Sequence, residues 1–234
     1  MIFRKNKHNS GFGEFLPTIR LVPGFEGMNW TSRQLEGLER FYRANLINSV
    51  TGFKSLCLLG SRHPDGTGNL AVFTQVMHLG ADPALLGILF RPQVPGMHSL
   101  KNIRESGWLS LNHVLEGEAL QAHWTSARWD IPEFEAVGFE PEFLPEIPVP
   151  FVKGSRIRMA LSAEQEIPIP LNGTTLLVAR LQYLEVPDAC LAEDGFANLI
   201  QAGSLAGMGL DGYASGRELQ RFSYARPGEL PKLI

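Results

Sequence analysis

The 234-residue chain has only two cysteines, Cys57 and Cys190, and no CxxC pair. This count is too low for a disulfide framework, and without a CxxC pair there is no thiol zinc or redox motif. Cys57 lies in an apolar run, which predicts a small core residue. The histidines show no HxH or HExxH spacing and the serines no GxSxG, so we predict neither a metal site nor a catalytic triad.

A large excess of positive or negative charge is also missing, and so are long apolar runs. The formal net charge is -3, so no basic surface is expected and we predict no nucleic-acid partner. No apolar run approaches the length of a membrane span, and the basic residues 1–10 are not followed by an apolar segment. We therefore expect a cytoplasmic protein without a membrane partner. The glycine-rich segment 203–216 is not interpreted as a dinucleotide or phosphate loop, because we find no GxGxxG following a strand and no GK[ST].

The chain does contain short apolar and β-branched runs that predict strands. Turn residues separate them, notably Pro64–Gly68 and Asn172-Gly173. The predicted strands are Ser55–Leu59, Ala71–Val76, Leu85–Phe90, Trp108–Asn112, Ser155–Glu166 and Thr174–Val186.

Helical patterns are fewer and irregularly placed. We predict helices over Thr31–Leu46, Ser99–Glu105 and Glu116–Arg128, with Thr31 as an N-cap and Gly107 as a stop. Asp130–Pro150 is rich in proline and glutamate and predicts a surface loop that serves as a lid or dimer contact. Consecutive strands with few helices favour a mainly antiparallel barrel with helical inserts. We divide the chain into an arm, 1–30, and one domain, 31–234.

Neutral polar residues and two arginines, Arg62 and Arg91, stand at the ends of the predicted strands. Such a rim suits a ligand with a phosphate and a flat heteroaromatic ring, because arginine offers phosphate a planar fork. This chemistry fits many nucleotides.

A set of motifs that follow one another along the chain narrows the choice of ligand. They are NLAVFT at 69–74, HLGADPALLGILFRP at 78–92 and HSLKNIRESGWLSLNHV at 98–114, followed by AHWTSARW, PFVKGS, NGT and GLDGYA. Together they resemble the flavin reductase-like family over about residues 49–227. The chain departs from the family pattern at Val72, Gln75 and His98-Ser99.

The resemblance implies a mainly β fold, a six-stranded antiparallel FMN-binding split barrel of Greek-key type. It also implies a homodimer with FMN at the interface. By position, Asn69, Phe73, Thr74 and Gln75 are expected to line the flavin, largely through backbone groups. The other residues carried over are Ser61 and Arg62 beside the ring or phosphate, Arg91, Ser99 and Asn112 at family motif positions, and His113 and His123 near the ring or substrate face.

The function implied is that of an NAD(P)H-dependent flavin oxidoreductase with a small-molecule electron acceptor. Hydride transfer requires no protein acid or base, so no catalytic residue is predicted. One alternative is a non-enzymatic FMN-binding electron-transfer protein. Another is a barrel that binds a different aromatic ligand, such as a pyridoxal compound or haem.

Overall fold

A computed structural model describes residues 27–234 of the chain. The chain divides into two compact units, residues 1–46 and 47–234. Most of the predicted arm, 1–30, lies outside the described residues, and the division into arm and domain stays a prediction. None of the helices among residues 27–234 has the length and apolar character needed to span a membrane.

The helix predicted over Thr31–Leu46 is two helices, α1 (Ser32–Glu36) and α2 (Arg40–Ser49). Thr31 is the N-cap of α1, as predicted, and its hydroxyl accepts a hydrogen bond from the Gln34 N–H. The break has a local cause, because the Glu39 carboxylate accepts the N–H groups of Phe41 and Tyr42 and starts a second helix.

The second unit contains all twelve strands that the structure describes. The elements after α2 are β1 (Lys54–Ser55), β2 (Cys57–Arg62), β3 (Gly68–Phe73), β4 (Val76–Ala81), β5 (Ala84–Phe90), α3 (Ser99–Ser106), β6 (Trp108–His113), a 3-10 turn (Glu116–Glu118), α4 (Ala119–Trp124), α5 (Glu133–Val137), β7 (Pro141–Glu142), β8 (Phe151–Val152), β9 (Arg158–Ile169), β10 (Thr174–Glu185), a 3-10 turn (Asp188–Cys190), β11 (Leu205–Met208) and β12 (Gly212–Ser215).

Seven strands form the main sheet, in the order β3-β2-β6-β9-β10-β5-β4. Every neighbouring pair is antiparallel. The two edge strands, β3 and β4, follow each other in the chain and are joined by Thr74 and Gln75 alone. The sheet must therefore curl until its edges meet at this link, while β3 and β4 do not pair along their length. This is the predicted split barrel, with seven strands where six were expected.

The barrel core follows from alternation along the strands. Cys57 and Leu59 of β2, with Leu109 and Leu111 of β6, point into one buried cluster. Leu100 and Ile103 of α3 pack into the same cluster. The intervening Leu58 faces a second cluster with Phe134 and Val152, so β2 is covered on both faces.

Two segments differ from the prediction. In the predicted helix Glu116–Arg128 only Ala119–Trp124 is α-helical, and its large apolar side chains face outward: Leu120 is 76% and Trp124 50% exposed, while Ala122 is buried. The predicted loop Asp130–Pro150 contains α5 and β7. It also supplies Phe134, 4% exposed, to the core. The prolines and glutamates of this segment led to the prediction of a surface loop, although buried apolar residues lie between them.

Strand boundaries differ around the link between β3 and β4. The predicted strand Ala71–Val76 ends at Phe73, and β4 begins at Val76 as a separate edge strand. Sequence reasoning missed β4 because its side chains are largely exposed and do not alternate. It also missed the hairpin of β11 and β12. This hairpin contains the spacing GxGxxG at 207–212, but the motif leads into a strand and not into a helix.

Candidate functional site

A cleft of about 490 Å³ opens at the link between the two edge strands. This volume is within the range of about 300–1,000 Å³ that ligand pockets occupy. Its walls are the end of β3, the end of β5 with the following loop, the start of α3, the turn after α4 and the turn between β11 and β12. The cleft therefore collects residues from five separate parts of the second unit.

The edge of β3 presents backbone groups to this cleft. Within β3, the N–H groups of Leu70 and Val72 point away from β2 and are bound by side chains from the segment that follows α4. The Val72 N–H donates to Thr125 Oγ1 at 2.9 Å, and the Leu70 N–H donates to Glu133 Oε2 at 3.4 Å. Alternate residues of a strand face the same way. The backbone of Thr74, two residues after Val72, therefore also faces away from β2, and Thr74 lies at the cleft.

Thr74 is held against the small hairpin by a close approach. A Cβ added to Gly207 of β11 would lie 2.8 Å from Thr74 Cγ2. Glycine is therefore required for β11 to pass so near this residue. The next residue, Gln75, accepts the Leu89 N–H through its carbonyl at 3.0 Å, which fixes the link to β5.

The start of α3 also lines the cleft. Its first residue, Ser99, is 9% exposed. His98 is the N-cap and makes no side-chain hydrogen bond to the helix. The first N–H groups of a helix lack intrahelical partners and attract anions.

A buried amide–hydroxyl network ties α3 to the sheet. Asn69 Nδ2 donates to Ser61 Oγ and to Ser99 Oγ, each at 3.1 Å. Asn102 Nδ2 donates to the same Ser61 oxygen at 3.3 Å. This network positions the start of α3 relative to β2 and β3.

Two arginines add positive charge to the lining. Arg91 follows β5 and Arg128 follows α4. Neither makes an ion pair with a residue of the described part, 27–234. Both guanidinium groups are therefore available to an anion bound in the cleft.

The cleft brings together six of the eleven residues that the sequence suggested: Asn69, Phe73, Thr74, Gln75, Arg91 and Ser99. Their role in binding stays a prediction.

The other five, Ser61, Arg62, Asn112, His113 and His123, lie outside the cleft lining. Ser61 is fully buried, and its hydroxyl accepts hydrogen bonds from the two asparagine amides of the network described above. Arg62 donates to the Gly66 carbonyl at 3.2 Å and lies over the Phe143 ring. Asn112 is also fully buried, donates to the Leu58 carbonyl and accepts the N–H of a β8 residue. Its amide therefore holds the fold together in this structure.

His113 is the fourth residue outside the cleft. Its Nδ1 lies 3.0 Å from Ser204 Oγ. Burial lowers the pKa of His113 to about 4. The imidazole is therefore neutral at pH 7 and packs as part of the fold.

Several lining residues were not identified from the sequence, among them Thr125, Arg128, Gly209 and Tyr213. Two of the quoted motifs, AHWTSARW and GLDGYA, contain them, but neither is periodic or charged enough to indicate a cleft. Tyr213 makes one further contact, because its hydroxyl lies 2.7 Å from Nδ1 of His123 on α4. Burial, with the nearby Asp211 charge second, raises the pKa of the Tyr213 hydroxyl.

Comparison with known proteins agrees with this architecture. Residues 54–199 match the family model of the flavin reductase like domain. A comparison with curated protein sequences gives no match.

Among solved structures, a protein of Shewanella frigidimarina NCIMB 400, provisionally assigned as a flavin reductase with a split barrel domain, is 38% identical. That similarity has a TM-score of 0.81 and covers 85% of this chain and 100% of the other. Nitrilotriacetate monooxygenase component B from Bacillus cereus is 18% identical, with a TM-score of 0.72 over 83% of this chain and 98% of the other.

A third structure is the FMN-binding protein from Thermus thermophilus with bound 1-cyclohex-2-enone. It is 18% identical, with a TM-score of 0.59 over 75% of this chain and 91% of the other. At this level of identity, the second and third similarities show the fold. The family model and the first structure show more: the chain belongs to the flavin reductase-like family and is a flavin-related oxidoreductase with a split-barrel fold.

Proposed function

We propose that the chain binds FMN in the cleft and is an NAD(P)H-dependent flavin oxidoreductase. The observation that carries this proposal is that groups suited to a phosphate and groups suited to a flat polar ring line the same cleft. The start of α3, two arginines that make no ion pair with the described residues, and the edge of β3 all line the cleft. FMN has the matching parts, a phosphate and a flat ring with donors and acceptors at its edge.

The residues present fit both parts of this ligand. The N–H groups at the start of α3, the Ser99 hydroxyl and the Arg91 guanidinium would hold the phosphate. The Val72 carbonyl and the Thr74 backbone would hold the ring, since the Val72 N–H and the Gln75 carbonyl already have partners within the protein. Ser99 Oγ already accepts a bond from Asn69, so its own proton is free to be donated.

The other neighbours of the cleft position these groups and limit access of water. The second core cluster, which includes Phe134, supports β3 from behind. The apolar side chains of Phe73, Val94, Met97 and Leu210 line the cleft. When bound, FMN supplies the hydride and electron chemistry, while the protein supplies binding, orientation and local electrostatics.

The homodimer is part of the same proposal. Leu120, Trp124 and Ile131 are 76%, 50% and 47% exposed, and the turn between them, 125–128, lines the cleft. A second copy that covers these side chains would also border the bound ligand. A small-molecule electron acceptor remains the proposed partner, and the cytoplasmic location stays a prediction.

The visible spectrum of the purified protein tests the function. We expect flavin absorbance, present on purification or after titration with FMN, that bleaches without oxygen on addition of NADH or NADPH. Bound flavin that stays oxidised with both nucleotides would favour the electron-transfer protein instead. A pyridoxal or haem spectrum, or no uptake of FMN at all, would overturn the proposal.

A further inference from the structure

Tyr213 and His123 form a hydrogen-bonded pair in the wall of the cleft. Tyr213 lies on β12 and lines the cleft, whereas His123 lies behind it on α4. The distance from the phenol oxygen to Nδ1 is 2.7 Å, and the two rings meet edge to face at 88°. Two elements far apart in the chain thus place a phenol at the cleft with an imidazole beside it.

We propose that Tyr213 is the proton donor to an electron acceptor bound in the cleft and that His123 is the residue that returns the proton to Tyr213. The proposal rests on the proposed function, because reduced flavin is needed as the source of hydride. It adds two residue roles that hydride transfer to the flavin does not require.

The direction of the hydrogen bond decides what the pair can do. The proton between the two atoms belongs to either one, according to the imidazole tautomer. When Nδ1 carries the proton, the imidazole donates to the phenol oxygen, and the phenol proton is then free for a ligand in the cleft. Burial, ahead of the Asp211 charge, raises the pKa of Tyr213, so the phenol keeps its proton at neutral pH.

The lining also indicates the class of acceptor. Val94, Met97 and Leu210 line the cleft and are 48%, 42% and 40% exposed. Apolar side chains beside one phenol donor suit an apolar molecule with a carbonyl oxygen, such as a quinone. The second arginine, Arg128, also lines the cleft and makes no ion pair with the described residues.

Reduction of a quinone to a hydroquinone takes two electrons and two protons. The hydride equivalent brings both electrons and one proton. The second proton comes from Tyr213: its O–H bond breaks as the new O–H bond of the hydroquinone forms. The Nδ1–H proton of His123 then moves to the phenolate oxygen while Nε2 of the same ring takes up a proton from solvent, so the imidazole stays neutral as its other tautomer.

Two acceptors separate this role from a structural one. FMN-loaded protein, reduced with stoichiometric dithionite in the absence of oxygen, is mixed with menadione or with ferricyanide while flavin absorbance is followed. Menadione needs protons, whereas ferricyanide takes electrons alone. For Tyr213→Phe we expect a rate with menadione about 10²-fold lower, an unchanged rate with ferricyanide and unchanged FMN affinity. Tyr224→Phe is the matched control, because Tyr224 is 87% exposed and outside the cleft lining.

His123→Asn tests the relay. The asparagine amide can still bond the phenol at the position of Nδ1, but it cannot carry a proton between solvent and Tyr213. Over repeated turnover with menadione and excess NADH or NADPH, we expect a lower rate in the variant, because Tyr213 regains its proton more slowly. As a readout without flavin, the NMR resonance of His123 Nδ1 in FMN-free protein should shift when Tyr213 is replaced by phenylalanine, because the hydrogen bond is lost.

The outcomes are distinct. If Tyr213→Phe protein binds FMN and reacts with menadione as the wild type does, this inference is overturned and the proposed function stands. Equal slowing with menadione and ferricyanide would also overturn it, since the defect would then concern electrons or structure. Wild-type protein that takes up no FMN would overturn the proposed function and, with it, the inference.

Discussion

Gly207 shows how one missing side chain shapes the cleft. Because its Cβ would lie 2.8 Å from Thr74 Cγ2, Gly207→Ala must displace either β11 or Thr74. We expect a loss of about 1–3 kcal/mol of unfolding free energy from overpacking, together with weaker FMN binding. Urea denaturation and FMN titration measure the two effects.

Gly117→Ala is the control for this substitution, because nothing lies within 4 Å of its added Cβ. The control should leave FMN affinity unchanged. Wild-type affinity in Gly207→Ala protein would show that the position of Thr74 does not matter for the ligand.

His113 gives stability a defined dependence on pH. Its pKa is lowered by burial to about 4, from an ordinary value of 6.5. The unfolded chain therefore binds this proton more readily, and the contribution of the neutral imidazole is complete above pH 6.5 and is lost as pH falls towards 4. We expect the wild type to lose about 2 kcal/mol of unfolding free energy from this group between pH 7 and pH 5.

Urea denaturation at the two pH values checks this expectation. His113→Gln should show a smaller loss between them, because glutamine does not titrate. His78→Gln, at an exposed strand position of β4, should keep the wild-type difference. Equal losses in His113→Gln and wild type would mean that another group causes the acid sensitivity.

Among the elements, α3 depends on side chains for its position in the site. Asn69 joins it to β2 and β3 through Ser61 and Ser99. Asn69→Ala leaves buried hydroxyl groups without this donor and should lower the unfolding free energy by about 1–3 kcal/mol. It should also weaken FMN binding, because the start of α3 loses its attachment beside the cleft.

Asn102→Ala separates the two effects. Asn102 is 1% exposed and donates to the same Ser61 oxygen, but it is outside the cleft lining. We expect a comparable loss of stability and little change in FMN affinity. If both variants lose affinity equally, Asn69 acts through stability alone.

For the whole molecule, the proposed dimer is the main expectation. Trp124 stacks edge to face on Trp129, with ring centroids 5.0 Å apart, and is half exposed. Trp124→Glu places a charge where the second copy would remove water, so the variant should be monomeric at concentrations where the wild type is a dimer. Light scattering coupled to size-exclusion chromatography measures the mass.

Leu171→Glu provides the comparison. Leu171 is 98% exposed at the turn between β9 and β10, and its replacement should leave the dimer intact. A monomeric wild type would contradict the proposed assembly. A dimer in both variants would place the interface elsewhere.

Local sequence determined much of this protein, because the signals needed are short-range. Alternating apolar residues predicted the strands that form most of the sheet, and Gly107 ended α3 in the left-handed conformation expected of it, with φ of 76°. The ordered motifs around Asn69 and Ser99 identified the family. Six of the eleven suggested site residues lie in one cleft, and five of these six belong to the quoted motifs.

The tertiary structure decided which side chains face the core, the solvent or the cleft, because the local sequence does not contain this information. Whether Asn112 and Ser61 face a ligand or the core depends on which strands pair beside them, and burial gave their polar groups internal partners. The outward side of α4, the core position of Phe134 and the meeting of Tyr213 with His123 likewise depend on contacts between distant segments. Such contacts leave no period in the sequence, since each is a single residue placed by the curvature of the sheet.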